Sequence, residues 1–288
     1  MKKLFLLAAL ALISCANLMA KKQVVYVEEF SYREDIGEAL TEQIRGALIS
    51  SLIKYQHIQI TDVASESSLS REDKRRTDNA RLADDENTRR LKMRELGANY
   101  IIQGYISNLT YTSQTNDKGK TTYNAVLSYS LKVINCEDGT LVSTDLFNHE
   151  EKKESSENKC LTKILNMLPK DVKKVVTKDF KLHSTILDSD YESKNGKLLK
   201  CHINIGEDDG VVPGTVFSVK KAIIKAGRVS WTEIGEIVVE SIIAGDLSLC
   251  KVKKGGDDIY MALEEIISIK ESDPNNAHDL IVESKSFK

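Results

Sequence analysis

Five histidines, His57, His149, His183, His202 and His278, are the side chains of this sequence best suited to hold a metal or to move a proton near neutral pH. No two of them lie three or four residues apart, the spacing that places a ligand pair on one helical face, so each reads as structural. Glu207-Asp208-Asp209 offers the oxygen ligands that hard cations take. It lacks the alternate-position spacing of a calcium loop and reads as an ordinary turn between strands. The sequence contains no GxSxG, no phosphate-cradling P-loop, no GxGxxG and no CxxC, so nucleophilic, nucleotide and dithiol chemistry have no local support. The expectation is a non-catalytic protein with no cofactor and no metal.

The cysteines carry the remaining chemistry, and their meaning depends on compartment. Met1-Lys2-Lys3 is a positive n-region, and Leu4 to Ile13 is an apolar run too short for a membrane-spanning helix, which needs about 20 apolar residues. Residues 1–20 therefore read as an export signal. Two processing sites stay open. Leu12-Ile13-Ser14-Cys15 has the form of a lipobox, with Cys15 as the lipidated residue, and Leu18-Met19-Ala20 has the form of an ordinary cleavage site. An acylated Cys15 would be the chain's one means of membrane contact. In an oxidising compartment Cys136, Cys160, Cys201 and Cys250 become candidates for disulfides. A division of the chain near residue 180 favours Cys201 with Cys250 and Cys136 with Cys160. The competing reading is four buried free thiols acting as small hydrophobes.

These cysteines have to be placed by a chain of 288 residues, 29% charged and 41% hydrophobic, with a formal net charge of −2. That composition is globular and supplies no overall field for nucleic acid. The Lys152-Lys153 and Lys173-Lys174 pairs are interleaved with acids, and Arg89-Arg90 has no neighbouring aromatics on which bases could stack. A nucleic-acid partner is excluded on that basis.

Val24 to Val27 is a strand apolar on both faces, and Ile36, Leu40, Ile44, Leu48 and Leu52 then mark an amphipathic helix. His57 to Val63 alternates as a short strand. Ser65 to Glu95 is highly charged, with Leu82, Leu91, Met93 and Leu96 as a sparse apolar stripe on one or two exposed helices. Gly97 should cap the last of these, and Tyr100 to Ile106 should be a central strand. Within it Gly104 points to a bulge or to a close approach by the overlying helix. A hairpin turning at Asn116 to Lys120 joins Tyr111–Gln114 to Tyr123–Ile134, and Asp138-Gly139 turns into a strand from Thr140 to Phe147. Leu161 to Val176 is a second amphipathic helix that Pro169 kinks or divides. The first part is thus an α/β sandwich with a mixed sheet, over residues 21–180. Short strands from Leu198 to Val252, separated by Gly-rich turns, form a small β-barrel or sandwich over residues 181–272. Residues 273–288 read as a loose polar tail.

Val24-Val25-Tyr26-Val27-Glu28-Glu29-Phe30, the Ile36 to Leu48 helix, Leu96-Gly97-Ala98-Asn99-Tyr100-Ile101-Ile102-Gln103-Gly104-Tyr105-Ile106 and Leu131 to Ser143 together resemble the CsgG family. That family contains the curli secretion component of the outer membrane and is structurally similar to lipoprotein activators of peptidoglycan synthases. The likeness covers about Val24 to Val176. The region around Gly206, Gly210, Gly214 and Gly235 resembles the small β domains of flagellar assembly proteins such as FlgT. Secretion pores of the CsgG family insert two hairpins per subunit, whose strands need about 9 to 11 residues of apolar and polar alternation. Here the two corresponding stretches, Thr110 to Thr122 and Phe147 to Leu161, are almost wholly polar, so neither is expected to span a membrane.

The resemblance implies a protein of the periplasm, or of the periplasmic face of the outer membrane, in a Gram-negative bacterium. It would act by binding envelope proteins, with homo-oligomers a further possibility, as a scaffold or regulator of a cell-surface or secretion assembly. An oligomeric secretion channel and a glycan-acting envelope enzyme are the alternatives.

Overall fold

The computed structural model describes residues 22–61, 86–225, 228–273 and 278–287. The export signal with Cys15, and most of the charged stretch Ser65 to Glu95, lie outside the described residues. The chain divides into two compact units, Gln23–Phe180 and Lys181–Lys288.

In the first unit β1 (Gln23–Val27) carries Val25, Tyr26 and Val27 in fully buried positions, as a strand covered on both faces must. A two-residue β2 (Ser31–Tyr32) and β3 (Ile58–Thr61) flank the start of α1 (Glu38–Leu52) and its exit. Helix α2 (Glu86–Glu95) leads into β4 (Tyr100–Thr115), which meanders into β5 (Thr121–Asn135) and β6 (Leu141–Glu154). The sheet order is β3-β1-β4-β5-β6, with β2 beside β4. Strands β1 to β4 pair in parallel, and β4, β5 and β6 pair antiparallel, so the sheet is mixed.

Helices α1, α3 (Glu157–Leu165) and α4 (Leu168–Asp179) form the layer over the sheet face that presents Leu127, Tyr129, Leu131 and Val133. Pro169 divides the second helical stretch: it sits in the first turn of α4, where its missing N–H costs nothing. On the opposite face α2 covers one end only, burying Met93 among Tyr26, Ala98, Ile101 and Cys136. Leu91, read from sequence as part of the α2 stripe, faces solvent, because one buried position suffices for a helix of this length lying on a sheet end.

Gly97 ends α2 as expected. Its φ of 87° lies in the left-handed region, the Gly97 N–H donates to Arg94 O (2.9 Å) and the Ala98 N–H to Met93 O (3.0 Å), which is the Schellman pattern. Gly104 is also required, for a different reason from the one expected. A Cβ there would meet the ring of Phe30 at 2.5 Å, so the close approach comes from the segment after β1 and not from a helix.

Two strand boundaries differ from the sequence reading. β4 is continuous from Tyr100 to Thr115 and absorbs a bulge at Ser107, and β6 runs on through the polar residues to Glu154. Pairing with β5 supplies the hydrogen bonds that the local composition did not advertise.

The second unit is a closed barrel in the order β10-β11-β8-β7-β12-β9. Its strands are β7 (His183–Lys194), β8 (Lys197–Ile203), β9 (Val216–Lys225), β10 (Arg228–Ala244), β11 (Leu247–Lys254) and β12 (Ile281–Ser286). Ile203, Phe217, Val219, Ile237, Val239 and Val282 fill its interior. Helix α5 (Gly256–Ser272) packs Ile259, Ala262, Leu263 and Ile266 against the barrel. The sequence reading placed only a turn at its start, although these residues have helical spacing.

The expected loose tail is corrected as well. Ile281–Ser286 is β12, which pairs with both β7 and β9 and closes the barrel. A short strand with polar outward residues looks like a tail until two neighbours take up its backbone groups.

Candidate functional site

A largely buried polar cluster of the first unit joins three elements. Asp171 Oδ2, in the first turn of α4, accepts a hydrogen bond from Tyr129 Oη of β5 (2.6 Å) and lies 2.5 Å from His149 Nε2 of β6. Tyr129 stacks on Phe147 with ring centroids 5.0 Å apart, and Lys174 Nζ stands 5.2 Å from the Phe147 centroid. Burial, then the bond to Asp171, pushes the Tyr129 phenol far above its ordinary pKa, so it stays protonated and donates. A histidine, a carboxylate and a phenol could in principle relay a proton. Here they lie between the sheet and its helices with Tyr129 fully buried, so they satisfy one another as a structural network.

A pocket of about 310 Å³ opens where α2 gives way to β4, lined by Arg94, Gly97, Ala98, Asn99, Tyr100, Asn135 and Glu137. The side-chain oxygens of its two amides are already committed. Asn99 Oδ1 accepts from Val24 N (2.8 Å) and Asn135 Oδ1 accepts from Glu137 N (2.8 Å). Arg90 Nη1 donates to Cys136 O (2.7 Å), which ties α2 to the β5–β6 turn. These bonds tie α2, β1 and the β5–β6 turn together at this junction.

The surface best suited to recognition is the open side of the sheet and its β6 edge. Tyr105, Ser130 and Leu146 are in register across β4, β5 and β6, so they share one face beyond the reach of α2. Leu146 is 79% exposed and Tyr105 44%. Among the described residues no strand pairs with the outer side of β6, whereas the opposite edge, β3, has only four residues. Half of β6 is guarded against chance pairing. Glu150, Glu151, Lys152, Lys153 and Glu154 charge its end, and Lys153 has a φ of 60° at a register break. The half from Leu141 to Asn148 carries one charge, Asp145, which turns inward to Lys174 (3.0 Å) and Lys178 (2.9 Å). Burial alone would raise the Asp145 carboxyl, but the hydrogen bonds from Lys178 and Lys174 outweigh it and hold the pKa below the usual value.

The histidines are dispersed: His57 is buried near Tyr55, His202 Nδ1 lies 3.2 Å from Asp190 and His183 Nδ1 3.9 Å from Glu283. Among the described residues no three His, Cys, Asp or Glu gather as a metal set. No described helix is long and apolar enough to cross a membrane.

All four described cysteines are free and buried. The Cys136–Cys160 pairing is corrected. Cys136 follows the last residue of β5, while Cys160 Sγ donates to the carbonyl of Tyr123 near its first, about 40 Å away along an extended strand. Cys201 and Cys250, by contrast, are register partners on β8 and β11.

No family model matches the chain, and no curated protein matches it. Solved structures similar to it include the PelC dodecamer from Paraburkholderia phytofirmans (14% identity, 53% of this chain and 86% of that one, TM-score 0.33). Lipoprotein GNA1162 from Neisseria meningitidis is 8% identical over 52% of this chain and 97% of that one, with a TM-score of 0.34. The LpoB C-terminal domain from Escherichia coli is 12% identical over 49% of this chain and 92% of that one, with a TM-score of 0.32. At these identities and scores the likeness does not extend to function.

Proposed function

We propose that this chain is an exported envelope protein of a Gram-negative bacterium that binds a partner protein through the Leu141–Asn148 half of β6 and the adjoining open sheet face. It serves there as a non-catalytic scaffold or regulator of a cell-surface assembly. The export signal of residues 1–20, the Cys15 lipobox and the CsgG-like segments support the location. The observation that carries the partner reading is the long β6 edge, unpaired among the described residues, with Leu146 exposed beside it. Such an edge can accept an added strand, its backbone groups giving affinity and Leu146 and Tyr105 giving selectivity.

The channel alternative is less well supported. The stretch between Phe147 and Leu161 continues β6 and enters α3 without forming a hairpin. A photo-crosslinking residue in place of Leu146 should trap a discrete adduct in envelope preparations, and one in place of Lys170, exposed on α4, should not. Equal yields at both positions, or no adduct from Leu141, Tyr105 or Leu146, would overturn the reading.

A further inference from the structure

The β9–β10 ribbon outgrows its barrel. β12 pairs with β9 only from Val216 to Lys220, and β11 pairs with β10 only from Glu236 onward. Beyond those limits Lys221–Lys225 and Arg228–Glu233 pair only with each other among the described residues. A two-stranded ribbon is marginally stable alone, and this one places apolar side chains in water. Ile224 faces Val229 and Ala222 faces Trp231 in the register, so all four share one side of the ribbon. Ile224 is 64% exposed, Val229 49% and Trp231, the only tryptophan of the chain, 41%.

The same alternation puts Lys221, Lys225 and Arg228 on the other side of the ribbon. From Val219 to Thr232 the sequence contains Lys220, Lys221, Lys225 and Arg228 and no acid, in a chain whose net charge is −2. At the base of the ribbon Lys220 and Lys221 meet Glu283 and Glu265. Further out Arg228 is exposed, and Lys225 is its register partner. An indole beside branched aliphatics on one side of a ribbon whose other side carries cations is an amphipathic division that matches an anionic bilayer surface: apolar groups enter the headgroup boundary while the long cationic side chains reach the phosphates. A protein pocket would need no excess of positive charge.

We infer that the β9–β10 ribbon is a membrane contact, with Ile224, Val229 and Trp231 entering the headgroup layer of an anionic bilayer and Arg228 pairing with its phosphates. This contact is independent of any acyl chain on Cys15 and of the β6 reading. Because Trp231 is the sole tryptophan, its fluorescence reports this ribbon and nothing else.

The test mixes the full-length protein with phosphatidylglycerol vesicles containing bromine-labelled acyl chains, and with phosphatidylcholine vesicles labelled likewise. The expected result is a blue shift and quenching of Trp231 on phosphatidylglycerol, much weaker on phosphatidylcholine and reversed by molar salt. Lys225→Glu with Arg228→Glu should weaken the quenching titration by roughly a hundredfold. Ile224→Ser with Val229→Ser, which keeps the reporter, should abolish the shift while circular dichroism stays unchanged. Absence of quenching on phosphatidylglycerol, equal quenching on both lipids, or a Trp231 shift produced only by a protein partner would overturn the inference.

Discussion

Cys201 and Cys250 stand directly opposite one another on the adjacent antiparallel strands β8 and β11, and both thiols are buried in the barrel. Burial pushes Cys201 up to about 12 and raises Cys250 as well, so in the folded barrel both are protonated and poor nucleophiles. Exchange with an external disulfide must therefore precede barrel closure. Refolding the reduced, unfolded chain with oxidised glutathione should yield a Cys201–Cys250 bond, seen as loss of two hydrogens in the linked peptide. The folded reduced protein should resist the same reagent. Recovery of a Cys136–Cys160 peptide instead would contradict the strand geometry.

The shared oxygen of Asp171 makes Tyr129 and His149 energetically dependent on one residue. Asp171→Ala leaves a buried phenol and an imidazole without their acceptor and should cost roughly 3 kcal/mol in urea unfolding. Tyr129→Phe removes one donor and should cost about 1 kcal/mol. In a double-mutant cycle the two losses should be clearly non-additive, and simple additivity would show that the contact contributes nothing.

His57 makes the first unit sensitive to acid. It is about 1% exposed, and burial lowers its pKa from 6.5 to about 4. The folded state therefore keeps the imidazole neutral where the unfolded chain protonates it. The associated stability is complete above pH 6.5 and is lost as pH falls from there towards 4, to roughly 3 kcal/mol. His57→Asn should flatten the pH dependence of the unfolding free energy across that window, whatever it does to stability at pH 7.5.

The two glycines of the LGANYIIQGYI segment should fail differently when changed to alanine. Gly97→Ala puts a Cβ at a φ of 87° with open space around it, so the cost is conformational, about 1 kcal/mol. Gly104→Ala drives a methyl into the Phe30 ring and should cost roughly 2 to 3 kcal/mol. Phe30→Leu should recover part of the Gly104→Ala loss in thermal unfolding and none of the Gly97→Ala loss.

Local chemistry was readable from the chain by itself. The stripe that made α1, the glycine that ends α2, the Asn116–Lys120 turn and the division at Pro169 each depend on neighbours within a few residues, where propensity and sterics act. The open face of β5 was likewise visible in its alternation. Helix α5 had a readable signal in Ile259, Leu263 and Ile266 that the preceding Gly-Gly-Asp-Asp obscured.

What only the tertiary structure decided rests on long-range register. Ile281–Ser286 becomes a strand because β7 and β9, far away in sequence, pair with it. His149, on β6, reaches Asp171 on α4 because an edge strand and a helix meet across the layer. The exposed character of Leu146 and Trp231 depends on which strands lie beside them, Leu146 at the sheet edge and Trp231 on the part of β10 that β11 does not reach. Backbone pairing is non-specific in composition and specific only in register, so a single sequence names the strands and leaves their neighbours to the folded chain.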